Sequence, residues 1–419
     1  MNALPKGWVE TALGEVCDVL DSRRVPVNAK ERAGRPGTVP YFGATGQVGW
    51  IDRPLFNEEL LLLGEDGAPF LDASKPKAYL IRGPAWVNNH AHVLRARTVT
   101  SNRFLLHALN WTDYRRFVNG TTRLKLTQAA MNVIPVPLPP LAEQERIVAA
   151  IEEQLSRLDT AEQLLRGALQ RCDVLYRSFM RTLEAWPLVP LAALLEKPLA
   201  NGRSVPTAEN GSGFPVLRLT ALRNGFVDLS ERKLGAWGRR EAERYIVQEG
   251  DFLIARGNGS LALVGRGGLV TADPDGVAYP DTMIRARVDQ QQMSPQFLRW
   301  VWSSSTVRRQ IESAAKTTAG IYKVNQQDLG GVAVPVPPPD VQDTIVGELG
   351  RQQSILQALT QSIHQALARS NQLRRSILEH AFAGELVPQD PDDEPAPELL
   401  ERIASDHRTS TTRRRRQRA

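Results

Sequence analysis

The sequence predicts an α+β chain of two repeated globular α/β modules separated by two long helices that pair as an antiparallel coiled coil, with pseudo-twofold symmetry. Three observations predict it. The first is an internal repeat at a fixed offset of 198 residues: VPLPPLAEQERIVAAI from Val136 reappears as VPVPPPDVQDTIVGEL from Val334, with Pro137/Pro335, Pro139/Pro337, Pro140/Pro338, Gln144/Gln342, Ile147/Ile345 and Val148/Val346 identical. The second is a heptad pattern behind each copy. Apolar residues recur every seven positions at Ile151, Leu158, Leu165, Cys172 and Phe179, with Ile147, Ala161, Ala168 and Leu175 as a companion row that also holds Gln154. The second copy repeats the row as Leu349, Leu356, Ile363, Ser370 and Ile377, with Ile345, Leu359, Ala366 and Leu373 alongside and Gln352 in the glutamine position. The third is the proline run ahead of each helix, which lacks amide donors and keeps its predecessors extended, so that each helix is expected to open a new structural unit.

The boundaries that follow are a first module over 1–135, a proline junction and helix over 136–186, a second module over 187–333, a second junction and helix over 334–387, and a tail over 388–419 that is acidic, then Arg-rich and partly disordered. Within the first module, a basic Gly/Pro-rich loop (Arg23 to Gly37) precedes YFGATGQVGWID, a glycine-punctuated hairpin. Leu60 to Leu63 reads as a strand, Gly64 to Gly67 as a turn, Ala78 to Ile81 and His92 to Arg95 as a further strand pair, and Arg103 to Phe117 as helical. The second module is a diverged copy: Trp186 stands where Trp8 does, Asp251 to Ile254 parallels Glu59 to Leu62, and Tyr322-Lys323-Val324-Asn325-Gln326 matches Leu124-Lys125-Leu126-Thr127-Gln128. The antiparallel seam from Ile147 to Phe179 would make a rod of about 48 Å at ~1.5 Å per residue, long enough to act as a ruler between two modules.

Composition narrows the function classes. The longest wholly apolar run, Leu60 to Leu63, is too short to cross a bilayer and the N-terminus lacks a signal-peptide core, so a soluble cytoplasmic protein is expected. Cys17 and Cys172 are too few for a disulfide framework or cysteine zinc site and read as free, buried thiols. The net charge of +6 is unevenly spread. Residues 1–135 carry 17 Lys+Arg against 12 Asp+Glu, and 187–335 carry 18 against 14, whereas 136–186 carries 6 against 8 and 336–402 carries 5 against 11. A polyanion would meet the modules, and the acidic helices are left for protein contacts.

No catalytic constellation emerges. Gly257-Asn258-Gly259-Ser260-Leu261-Ala262 fits a dinucleotide fingerprint, but no amphipathic helix follows to hold a pyrophosphate, so it reads as a structural turn. The same absence argues against an adenosylmethionine fold, and there is no Asn-Pro-Pro-aromatic tetrapeptide. His90 and His92 lack further ligands at metal spacing and read as a hydrogen-bonded pair with Asn88 and Asn89. Glu231-Arg232-Lys233 reads as an exposed turn. No metal site and no bound cofactor are expected.

Basic and amide side chains in glycine-rich settings are the positive signal. Arg23, Arg24, Lys30, Arg32 and Arg35 lie in the first module's loop, and Arg218, Arg223, Arg239, Arg240, Arg256 and Asn258 have similar surroundings in the second. Arginine and asparagine suit bidentate contacts with guanine and adenine. The module ends add Arg123, Lys125, Lys316, Tyr322 and Lys323.

At YFGATGQVGWID, GEDGAPF, WVNNHAHVL, PLPPLAEQERIV and AFAGELVPQDPDDEPAPELLERI the chain resembles the specificity subunits of type I restriction-modification systems, over nearly its whole length. One departure is Val341 before Gln342, where an acidic residue is usual. The resemblance implies a non-catalytic subunit whose two target recognition domains each read half of a bipartite double-stranded DNA site. It also implies two docked methylation subunits and associated restriction subunits, to which adenosylmethionine, ATP and magnesium belong. A self-contained restriction-methylation fragment and a coiled-coil scaffold without a nucleic-acid partner are the competing readings.

Overall fold

The computed structural model describes residues 4–209, 211–272, 276–318 and 320–402. The chain divides into two compact units, Met1–Arg166 with His364–Ala419, and Gly167–Ile363, so each long helix is shared between both. No helix among the described residues is long and apolar enough to cross a membrane.

The first unit is built on a strand, Leu60–Gly64, that is apolar without alternation because both of its faces are buried. Leu61 and Leu63 enter the main core with Leu94, Phe104, Leu105 and Ile147, while Leu60 and Leu62 face a second cluster with Phe56, Val87 and Val93. It lies inside an antiparallel sheet ordered Cys17–Val19, Ala91–Ala96, Leu60–Gly64, Ala78–Ile81. The expected pair 78–81 and 92–95 therefore flanks this strand from opposite sides, Leu61 standing opposite both Leu80 and Leu94. The glycine-punctuated hairpin forms as Val39–Gly43 and Gly46–Ile51 and continues into Pro84–Val87, which runs parallel to Val39–Gly43 with Tyr41 beside Trp86. Helix Asn102–Trp111 starts where the Ser101 hydroxyl accepts the Phe104 amide.

The second unit repeats the device. In Phe252–Ala255, Phe252 and Ile254 face one cluster and Leu253 and Ala255 another. The strand sits in a six-stranded sheet between Met283–Val288 and Gly267–Leu269. Arg232–Gly235, expected as part of a turn, is a strand paired with Phe214–Leu217; the ladder satisfies the backbone while Arg232 remains exposed.

The proline junctions are not mere stops, which corrects the expectation that each helix opens a new unit. Pro135–Leu138 pairs with Val9–Ala12, and Ala333–Pro335 pairs with Leu188–Pro190. A two-stranded ribbon has only edges, where proline's missing donor is tolerated. Each helix, Leu141–Thr182 and Pro339–Phe382, then starts inside its own module's core: Ile147, Val148 and Ile151 belong to the first unit's cluster, and Leu349 to the second's. The shared glutamine fixes both starts. Gln144 Oε1 accepts from Thr100 Oγ1 (2.7 Å) while its amide donates to Val99 O and Pro139 O (3.0 Å each). Gln342 Oε1 accepts from the Ser294 amide (2.7 Å) and its own amide donates to Gln292 O (2.8 Å) and Pro337 O (2.9 Å). Val341 leaves this geometry unchanged. What it lacks is the acid of Glu143, which accepts the Trp8 indole N–H at 3.1 Å.

The helices run antiparallel within each unit. In the first, Glu162 accepts from Ser370 Oγ (2.7 Å) and Arg374 Nε (3.1 Å), and Arg374 reaches back to Asp159. In the second, Tyr176, Phe179, Met180 and Leu183 share a cluster with Ile345, Val346 and Leu349. The seven-residue row is where the sequence puts it, and the expected companions Ile147 and Ile345 pack inward, but Ala161, Leu175, Leu359 and Leu373 face solvent and the next residue along shares the inward face. The inward partners are Val148, Leu155, Glu162, Leu169 and Tyr176, and in the second helix Val346, Gln353, Thr360, Leu367 and Arg374, while Leu175, Leu359 and Leu373 are 47%, 45% and 52% exposed. Choosing the companions by apolarity missed this, because the real row mixes leucines with polar residues, and two of the latter, Glu162 and Arg374, bond across the seam.

In the tail expected to be partly disordered over 388–419, the described residues 388–402 are packed: the Ala396 amide donates to Gly7 O, Ala396 and Leu399 enter the first unit's core, and Asp393 pairs with Arg146 at 2.7 Å. Two apolar anchors and one ion pair hold down an otherwise acidic segment. Arg413 to Arg416 lie outside the described residues. Cys17 and Cys172 are free and buried, and burial pushes the Cys17 thiol up to about 12.

Candidate nucleic-acid interface

In the first unit the basic loop is laid against the second sheet by stacking. Arg23, Arg32 and Arg35 lie over Phe56, Tyr41 and Trp86, each 4.6–4.7 Å from the ring centre. Arg35 is also bidentate to Asp52 (3.2 and 2.7 Å), which holds that carboxyl below its usual range, and Arg23 meets Glu58 at 3.4 Å. Arg24 is turned inward, bonded to Glu65 (2.8 Å), Asp21 (3.2 Å) and Ala91 O (2.7 Å). Lys125 meets Glu65 at 3.2 Å, and Arg123 meets Asp66 at 2.5 Å. Five of these seven cations thus already have a carboxylate. Lys30 and Arg32 have none among the described residues. Arg32 borders Gly49 on the edge strand Gly46–Ile51, which also exposes Gln47, Val48 and Trp50, the last 55% exposed. Trp50 was missed because an aromatic residue in a strand reads as core; only its position on an edge puts it in solvent.

The two histidines find partners far away in sequence, not in Asn89. His92 Nδ1 lies 2.6 Å from Asp21 and Nε2 2.9 Å from Leu126 O, while the His90 ring lies 2.7 Å from Asp66 and its amide donates to Asn88. Asp21, Glu65 and His92 converge closely enough to suggest a cation site. Arg24 supplies the positive charge between the two carboxylates, so the group is satisfied by the chain itself.

In the second unit five of the sequence-derived residues come together on one small sheet of Gly257–Asn258, Ile321–Lys323 and Lys316–Thr318. Lys316 stands opposite Lys323, Asn258 opposite Tyr322, and Arg256 precedes the first strand. Like charges directly opposite each other across a ladder are destabilising, and neither lysine has a carboxylate partner among the described residues. The dinucleotide-like glycines serve this sheet: Gly257 pairs with Lys323, and a Cβ there would stand 3.3 Å from Tyr322 O. The remaining candidates lie on other elements. Arg223 is paired with Glu231 at 2.9 Å, Arg218 is exposed beside it, and Arg239 and Arg240 are exposed on the short helix Arg239–Ala242.

Each strand-rich unit thus carries cations without a carboxylate partner among the described residues, Lys30 and Arg32 in the first and Lys316 and Lys323 in the second. Residues 5–167 match the family model described as the type I restriction modification DNA specificity domain. The chain is 29% identical over 347 residues to the EcoKI specificity subunit of Escherichia coli, covering 76% of this chain and 74% of that one. It is 34% identical over 143 residues to a putative specificity subunit of Haemophilus influenzae, covering 33% and 35%. A solved structure on complex assembly and conformational transition of the type I restriction-modification system superposes with a TM-score of 0.67 at 19% identity, over 92% of this chain and 100% of that one. The HsdS subunit of Thermoanaerobacter tengcongensis does so with a TM-score of 0.55 at 19% identity, over 91% and 98%. The chain is thus similar, in residues 5–167 by the family model and over most of its length by its relatives, to the specificity subunits of type I restriction-modification systems.

Proposed function

We propose that this chain is the sequence-reading subunit of a type I restriction-modification complex, each unit presenting one reader to half of a bipartite double-stranded DNA site. The observation that carries the reading is the unneutralised Lys316–Lys323 pair, flanked by Arg256, Asn258 and Tyr322: a cationic ladder made stable by a polyanion, with amide and phenol groups beside it to address base edges. In the first unit the candidates lie elsewhere in the repeat, at Lys30, Arg32, Gln47 and Trp50. Adenosylmethionine, ATP and magnesium serve the methylation and restriction subunits, and this chain binds none of them.

Two methylation subunits dock on the helices. The solvent-facing members of the companion row support this, since in the second unit Leu175 and Leu359, with Val174 and Ile355, leave apolar surface in solvent, as Leu164 and Leu373 do in the first. The test is to map methylated adenines in a host carrying the complete system, with and without the Lys316→Ala, Lys323→Ala and Asn258→Ala substitutions. Loss of one half-site's definition supports the reading, and an unchanged methylation pattern in all three variants refutes it.

A further inference from the structure

The first unit's small ribbon, Val118–Asn119 against Lys125–Leu126, carries at its loop end a charged cluster that the candidates named above leave unused. The Arg123 side chain is 60% exposed, yet its guanidinium is held. Asp66 accepts from Arg123 Nη2 at 2.5 Å, and the same carboxylate oxygen lies 2.7 Å from His90 Nδ1. The guanidinium also lies against Gly67, where a Cβ would stand 3.4 Å from Nε and from Nη2; the φ of 71° there suits a residue without one. Nη2 is thus committed, while Nε and Nη1 donate to no group among the described residues.

This cluster occupies the place in the repeat where the second unit carries its lysine ladder. In the first unit Lys125 stands opposite Asp66 and the Leu126 amide donates to Glu65 O; in the second Lys323 stands opposite Gly257 and the Val324 amide donates to Arg256 O. Asp66 therefore corresponds to Gly257 and Glu65 to Arg256, so the acids that pair with Arg123 and Lys125 have no counterpart beside Lys323. Two residues ahead of Lys125 and Lys323 stand Arg123 and Ile321. The turn that carries Asp66 also abuts the first unit's other candidates. A Cβ on Gly64 would stand 3.2 Å from Ala44 O, at the tip of the hairpin whose second strand exposes Gln47, Val48 and Trp50.

We infer that Arg123 is a base-reading side chain of the first unit, held by Asp66 as its positioning residue and addressing the O6 and N7 acceptors of a guanine in that unit's half-site. The inference rests on the function proposed above and gives one of its readers a defined target. Pairing with Asp66 cancels Arg123 as a phosphate counter-ion, because no net charge is left to displace counterions. It does not cancel the donors. Nη2 carries one hydrogen on each of the two edges of the guanidinium, so a single bond to Asp66 leaves the other edge complete for a bidentate contact with guanine. A guanidinium already held also loses less freedom on binding than a loose one. Ile321, at the corresponding place in the second unit, offers no donor, which confines this contact to the first half-site.

The experiment assembles the complete complex on wild type, Arg123→Gln, Arg123→Lys and Asp66→Asn. Fluorescence anisotropy over a salt series then measures binding to the methylation-mapped site and to each single base-pair replacement of it, with thermal unfolding of every variant as the control for folding. Arg123→Gln should raise Kd for the mapped site about tenfold or more, abolish discrimination at one G·C pair and leave the salt slope unchanged. Arg123→Lys, which keeps the charge without the planar fork, should not restore the discrimination. Asp66→Asn should weaken discrimination at the same pair while steepening the salt slope, because the arginine charge is released. Full discrimination at every position in Arg123→Gln overturns the inference in favour of a structural ion pair. Equal weakening on all duplexes, with a slope shallower by about 0.9, overturns it in favour of a phosphate contact. Either result leaves the proposed function standing, whereas a wild-type complex that methylates without a bipartite site would remove that function itself.

Discussion

Replacing both Lys316 and Lys323 by alanine separates the two consequences of placing like charges opposite one another. On B-DNA each neutralised phosphate adds about 0.9 to the slope of log K against log salt, so two lost contacts flatten the slope by about 1.8. Between 50 and 200 mM salt, a change of about 0.6 in log concentration, the variant's affinity should fall about twelvefold less than the wild type's. The penalty is therefore largest at low salt. Because the pair is directly opposed across the ladder, removing it should also relieve about 0.2–1 kcal/mol of repulsion in the free protein, raising the unfolding midpoint slightly while DNA binding weakens. Fluorescence anisotropy over a salt series, with scanning calorimetry of the unliganded chain, measures both signs. An unchanged salt slope would refute the assignment of these lysines to phosphate, and a lowered midpoint would show that the pair is stabilised within the chain.

Other outcomes follow from the cores. Gln144→Leu strands Val99 O, Pro139 O and the Thr100 hydroxyl, at about 1–3 kcal/mol for each group left unpaired; denaturant unfolding should show a loss of several kcal/mol, and Gln342→Leu a comparable one. His107 is buried with Nε2 unpartnered, and burial depresses its pKa to about 4. Since the folded value lies below the unfolded one, this group's contribution is complete above about pH 6.5 and is lost as pH falls towards 4. His107→Leu should flatten the stability profile in that window by at most about 3 kcal/mol, as read from midpoints at pH 7 and 4.5. Exchanging the second module with a relative's should change one half of the DNA site only. An exchange over 187–333 cuts the strand Ala333–Pro335 and separates Gln342 from Ser294, so one extended to about residue 350 should express better with the same change of half-site; a change in both halves, mapped by methylation, would defeat the two-reader model.

Much of this architecture was determined by local sequence. A repeat at constant offset, prolines without donors and a seven-residue apolar row report short-range chemistry that holds wherever the segment ends up, which is why both long helices, the hairpin at 39–51 and the strand at 60–64 were legible. The candidate site was legible in part for the same reason: Asn258, Tyr322 and Lys323, which the fold places on one sheet, were marked by type, and their setting by matched module ends. Only the tertiary structure decided which cations are available. Arg24 and Lys30 look equivalent in one basic loop, yet Arg24 faces Glu65 and Asp21 from other elements while Lys30 faces water. Tertiary structure also brought Glu162 into the helix seam, because it bonds to Ser370 and Arg374, more than two hundred residues later in the chain. Pairing depends on long-range contacts, and a sequence records the charges without recording which of them the fold has already neutralised.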